Sequence, residues 1–286
     1  MIYLILSVFF SSSLFVIFKL FDKYHVDNFQ AIIVNYFVAF IVGYSLIDSS
    51  IEVTSAVRMP WFYGAVILGV LFISIFNVMA ITSQRGGLSV ASVAAKMSVI
   101  IPIIFGILVY NESFGIYKLI GVVLALMAVY LTAYKKGAMN LNSTLLIFVL
   151  ILFVGSGVLD TLVKYIETTF VTKNELEFYT AIIFLVAGFT GVLMFIYQLI
   201  FKKIKINIRS VIGGIVLGIP NYFSIFYLLK ALQHPALESS TVFTINNVLI
   251  VMLTSLLGIV LFKEYLSVRN KVGILLSIVA ILMFYL

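Results

Sequence analysis

The chain has 286 residues, 63% of them hydrophobic and only 10% charged, with a net charge of +7 and no cysteine. A soluble domain of this size carries about 25% charged residues, so the composition excludes a water-soluble fold and defines an integral membrane protein. Basic residues border apolar runs, which is the pattern of membrane orientation and not of nucleic-acid binding. The missing cysteines and the wide separation of His25 and His234 leave no basis for a disulfide, a metal centre or a cofactor.

Apolar runs long enough to cross a bilayer as helices occur at 2–21, 29–47, 61–83, 88–110, 115–134, 144–166, 177–200, 211–232, 237–262 and 270–286. The first carries Ser11–Ser13 and, near its end, Lys19. It lacks a basic leader region and a small-residue cleavage site, so it is expected to be a span. Lys19 either snorkels to the interface or takes part in coupling. The second and third runs each hold one amide, Asn35 and Asn77.

In the fourth run, "SVASVAAKMSVIIPIIFG", Lys96 lies roughly 13 Å deep in a core of about 30 Å. A charge at that depth costs roughly 2.5–3.5 kcal/mol even on the lenient insertion scale. Ser89 and Ser92 share its helix face. Two readings stand: Lys96 is neutralised by burial or by Asp160, or it faces a polar cavity and meets an anionic substrate group.

Asp160 and Lys164, four apart in the sixth run, can pair along one helix face. The alternative gives Asp160 a counter-ion or protonation role. The eighth run holds Gly214-x-x-x-Gly218, a helix-contact pattern, and then Pro220, Asn221 and Tyr222. The ninth holds Asn246 and Asn247, near the repeat counterpart of Lys96. Interhelical hydrogen bonding is the ordinary use of such amides. A site lined by Lys96, Asn246, Asn247, Asn77, Asn221, Ser92 and Tyr222 is the functional alternative.

The chain repeats itself. Glu112 precedes Gly121 by nine residues, as Glu264 precedes Gly273; Ser11 aligns with Ser156, Lys19 with Lys164, and "GAVILG" (64–69) with "GGIVLG" (213–218). Five runs fall in each half, 1–137 and 138–286. Five is odd, so the second half enters the membrane from the opposite side. The expected fold is all-α: ten transmembrane helices as two inverted five-helix repeats, an arrangement typical of secondary transporters with sites near the midplane.

A proline and a glycine in the fourth run, followed by Asn-Glu ("PIIFGILVYNE"), with a glycine nine residues on, resemble the EamA-type branch of the drug/metabolite transporter superfamily. The counterpart "LTSLLGIVLFKE" is similar but lacks the proline. The resemblance covers the whole chain and implies a transporter whose substrate class is open, since the superfamily carries amino acids, sugars, phosphorylated metabolites, amines and drugs.

The mid-span lysine favours a small polar metabolite bearing a carboxylate or phosphate, such as an amino acid or organic anion. An exporter of amines or cationic drugs is the alternative. A membrane-embedded enzyme is disfavoured because no cluster of His, Asp or Glu marks a membrane edge, so no catalytic residue is expected. Partners are a small-molecule substrate and the lipid bilayer, with a homodimer left open.

Lys23, Arg85, Lys135, Lys136, Lys202, Lys203, Lys205, Arg209, Lys263, Arg269 and Lys271 fall on one side, against Arg58, Lys118 and Lys173 on the other. That excess sets the first side in the cytoplasm and both termini outside, in the cytoplasmic membrane. The resemblance implies the commoner orientation of the superfamily, with termini inside.

Overall fold

The structure, a computed structural model, describes residues 2–47, 52–110, 115–133, 143–172, 174–202, 206–232 and 239–285. Helices occupy every apolar run: α1 (Ile2–Lys23), α2 (Asn28–Ser45), α3 (Phe62–Gly86), α4 (Leu88–Met97), α5 (Ile100–Tyr110), α6 (Ile116–Ala133), α7 (Ser143–Phe170), α8 (Leu176–Lys202), α9 (Ile208–Leu232), α10 (Ser239–Phe262) and α11 (Val268–Tyr285). A short 3-10 turn, Val53–Arg58, leads into α3. No strand occurs among the described residues. Eight segments are long and apolar enough to cross a membrane, α4 and the start of α5 together forming one of them, and a shorter apolar stretch, Leu119–Thr132, lies in α6.

The fourth run is not one helix. It breaks at Ser98–Val99, between α4 and α5. Pro102 is the cause: it has no N–H to give the Ser98 carbonyl, and its ring clashes with the carbonyl four residues back. The Ser98 carbonyl instead takes the Ile101 amide at 2.9 Å, a tighter turn. Pro220 sits inside α9 without ending it.

Helix ends are set locally. Asp27 caps α2, its carboxylate accepting the Gln30 amide at 2.9 Å. At the end of α1 the Val26 amide donates to Phe21 O and the His25 amide to Asp22 O. That is a Schellman closure, with His25 at φ 54° where glycine is usual. Ser267 and Asn270 cap α11 reciprocally, and Asn270 also donates to Thr132 O at 2.8 Å, tying α11 to the end of α6.

The most extensive packing is of α6 with α11, α2 with α9, α1 with α9 and α2 with α8, each joining one half of the chain to the other. The centre is aromatic. Tyr36, Phe76, Phe72 and Phe184 contact one another at ring separations of 5.6 to 6.2 Å. Large apolar side chains such as Ile5, Leu193 and Leu275 point outward, which water would penalise and lipid does not.

Candidate functional site

Lys96 is the ninth residue of α4, one position before that helix ends. It is half-buried, and no hydrogen bond or ion pair holds its ammonium among the described residues. The charge that acts on it is Asp160, from beyond salt-bridge distance.

The register of α4 against α10 fixes its surroundings. Leu88 lies beside Gly258, and the Ser92 and Thr254 hydroxyls stand 2.7 Å apart. The helices are therefore antiparallel, and the next turn sets Lys96 level with Ile250. Asn246 and Asn247 come one turn further, level with the break at Ser98–Val99. Asn247 continues the α4-facing stripe of Thr254 and Gly258, by the 3.6-residue period. Asn246 turns toward α1 and takes a hydrogen bond from Ser7 Oγ at 3.2 Å.

The other residues do not join this group. Asn221 donates to Asn35 Oδ1 at 3.1 Å, a buried amide pair between α9 and α2. Asn77 bonds its own helix at Ile73 O, 2.8 Å away. Tyr222 is buried, its ring over Gly43 and stacked on Phe226. Lys164 is exposed on α7.

Asp160 continues a stripe of α7 formed by Val149, Phe153 and Ser156, all buried. It points the way they do, yet it is exposed. Two helical turns further along that stripe, Glu167 lines a cavity of about 50 Å³ with Phe72, Val163, Tyr179, Phe184 and Ile225. The Tyr179 hydroxyl is buried there without a hydrogen-bond partner among the described residues.

Lys19 belongs to a different cluster. Its ammonium donates to Gln84 O at 2.7 Å and lies 3.9 Å from Glu264 Oε1. Glu264 accepts the Leu88 amide at 3.0 and 3.2 Å, a carboxylate set on the N-terminus of α4, where the helix dipole favours it. Gln84 completes the cluster through Phe18 O and a reciprocal amide pair with Asn28. These bonds join α1, α2, α3 and α4 to the end of α10.

Sequence reasoning missed Glu264 as an actor, although it marked Glu264 as a repeat position; its bonding partner lies 176 residues away. It also missed Glu167. Glu112, the repeat mate of Glu264, lies outside the described residues, as do Lys135, Lys136, Lys173, Lys203 and Lys205 of the charge count. Among the described residues no group of three His, Asp or Glu can hold a metal.

Helices of this length and apolarity, with a few charged and amide side chains turned between them, define a multi-pass membrane protein. Residues 1–134 match the EamA-like transporter family, and the chain belongs to that family. It is a membrane transporter of the drug/metabolite type. An uncharacterized protein of Haemophilus influenzae is 30% identical over 291 residues, covering 99% of this chain and 97% of its own. A protein crystal structure with 14% identity, covering 99% of this chain and 94% of the other, superposes with a TM-score of 0.59. That likeness concerns the fold alone.

Proposed function

We propose that the chain is a secondary transporter in which two inverted five-helix halves give alternating access to a site at Lys96. The cargo is a small metabolite bearing a carboxylate or phosphate. An amino acid suits the site best, with its carboxylate on Lys96 and its ammonium toward Asp160. The observation that carries this reading is Lys96 itself, an unbonded ammonium at mid-span beside a broken helix. Broken helices supply polar backbone at transporter midplanes, and the Ser98 turn and Asn247 add polar groups, with Asp160 an acid, near that one cation.

The pairing of helices supports two exchangeable halves. The contacts of α1 with α9 and α10 have counterparts in those of α7 with α3 and α4, and the contact of α2 with α9 has one in that of α8 with α3. One counterpart is lacking. The α1–α3 contact is substantial, while α7 and α9 do not pack comparably among the described residues. The Lys19–Glu264 cluster closes the bundle on one side, and the cavity at Glu167, lined from α3, α7, α8 and α9, lies toward the other. A closed end opposite a loosened one is what an alternating-access state requires.

A second reading has its own observation. Glu167, with the rings of Phe72, Tyr179 and Phe184, is a lining that suits an amine, so an exporter of cations is the competing proposal.

Ligand stabilisation of the purified protein separates the two. A ligand at a hundred times its Kd stabilises by about 2.7 kcal/mol, which a melting curve resolves. Carboxylates or amino acids are expected to stabilise the native chain, to fail with Lys96→Ala and to act weakly with Lys96→Arg, because guanidinium does not replace ammonium at a fitted site. Stabilisation by amines alone, abolished by Glu167→Gln and untouched by Lys96→Ala, overturns the anion reading.

A further inference from the structure

A groove of about 610 Å³ opens between the end of α1 and the start of α9, on the face of α1 opposite Lys19. Its floor is apolar, formed by Ile17, Leu20, Phe21, Val26, Ile212 and Val216. Its rim is basic, formed by Lys23, His25 and Arg209, with Tyr24 beside them. Ile212 and Val216 are more than half exposed, so in a bilayer the trough faces lipid. We infer that this groove binds an anionic phospholipid, with one acyl chain in the trough and the phosphate between Lys23 and Arg209.

The rim is built rather than incidental. Asn207 donates from Nδ2 to His25 O at 3.1 Å, and its amide donates to Gln30 Oε1 at 2.9 Å. Ser210 Oγ accepts the Asp27 amide at 2.9 Å. The α1–α2 connection is thereby stapled to the first turn of α9, and His25 is held at φ 54°, a conformation that costs a non-glycine residue. The Asn207 side chain also caps α9, accepting the Arg209 amide at 3.0 Å. Lys23 Nζ stands 5.7 Å from the centre of the Tyr24 ring.

Two acids share this region, and neither lines the groove. Asp27 is engaged as the cap of α2, and Asp22 precedes Lys23 on the exposed end of α1. The lining itself carries cations and no carboxylate. A basic pocket between transmembrane helices on the Lys/Arg-rich side is the setting in which anionic headgroups are held. A soluble anion has no use for the apolar floor, and a zwitterionic lipid brings its own ammonium, which offsets the hold of the two cations on its phosphate.

Native mass spectrometry of the full chain in detergent tests the assignment, with phosphatidylglycerol and phosphatidylcholine of equal chain length. Each cation beside an anionic headgroup is worth about fivefold in affinity, so two give a preference on the order of 25-fold for phosphatidylglycerol. Lys23→Gln with Arg209→Gln is expected to remove that preference. Ile212→Trp, which fills the trough and leaves every charge, is expected to weaken both lipids and keep their ratio. Equal binding of the two lipids by the native chain overturns the proposal. So does a preference that survives the double substitution, or lipid binding that Ile212→Trp leaves unchanged. Displacement of phosphatidylglycerol by equimolar glycerol 3-phosphate also overturns it, since that would make the site one for a free phosphate.

Discussion

Asp160 illustrates what single residues contribute. In the sequence it is an acid four positions from Lys164, and a local pair was the simplest use for it. In the fold the two are not an ion pair among the described residues, and the cation that acts on Asp160 is Lys96, on another helix. If Asp160 receives the ammonium of an amino acid, Asp160→Asn should weaken amino-acid binding by tenfold or more, about 1.4 kcal/mol. Simple carboxylates should bind as before. Competition binding with matched amino and deamino ligands makes the measurement, and equal losses for both would remove Asp160 from the ammonium role. Lys96 was legible because a lone charge in an apolar run has a known cost. Glu167 and Glu264 were not, because the groups they meet come from segments far along the chain.

Among elements, apolar length was enough to locate the α-helices of the described residues except where one run holds two, with edges shifted by a few residues; α7, for example, continues to Phe170, past the predicted end at 166. The break between α4 and α5 was hidden by an unbroken apolar run. Its cause, Pro102, was in view, but the site of disruption lies four residues upstream, where nothing in "MSV" announces it. The Gly214-x-x-x-Gly218 pattern gave its contact in advance. A Cβ on Gly218 would stand 2.8 Å from Asn35 O and 2.6 Å from Val38 Cβ, so α9 meets α2 at its backbone. Gly218→Ala should cost about 1–3 kcal/mol by overpacking. Gly115→Ala, where a Cβ meets nothing within 4 Å, is the control. Thermal unfolding in detergent should lower Tm for the first and leave the second unchanged, and equal Tm values would contradict the close approach.

For the molecule as a whole, the charge count and the resemblance disagree about orientation. Lys23, Arg85, Lys202, Arg209, Lys263, Arg269 and Lys271 stand against Arg58 and Lys118 among the described residues, and the expectation from the positive-inside rule is that the first group faces the cytoplasm. A phosphatase reporter fused after Leu286 is then expected to be active, and the same reporter within residues 203–209 inactive. The reverse pattern would give the chain the commoner orientation of its superfamily. The internal repeat behind the proposed inversion was legible as spacing in the sequence. The unequal packing of α1–α3 and α7–α9 was not, because conformational state depends on which of two similar interfaces is engaged, and both halves encode both.

The carboxylate of Glu264 rests on the first amide of α4, and Lys96 stands eight residues along the same helix, about 12 Å at 1.5 Å per residue. A short unbroken helix transmits displacement between those points without absorbing it. Binding equilibria joined through one body are reciprocal: whatever factor cargo imposes on the hold of Glu264, that hold imposes on cargo affinity. If Lys96 holds cargo as proposed, the closure at one end of the bundle is written into the dissociation constant at its middle. A change at Glu264 would be read in the affinity of a ligand it never touches.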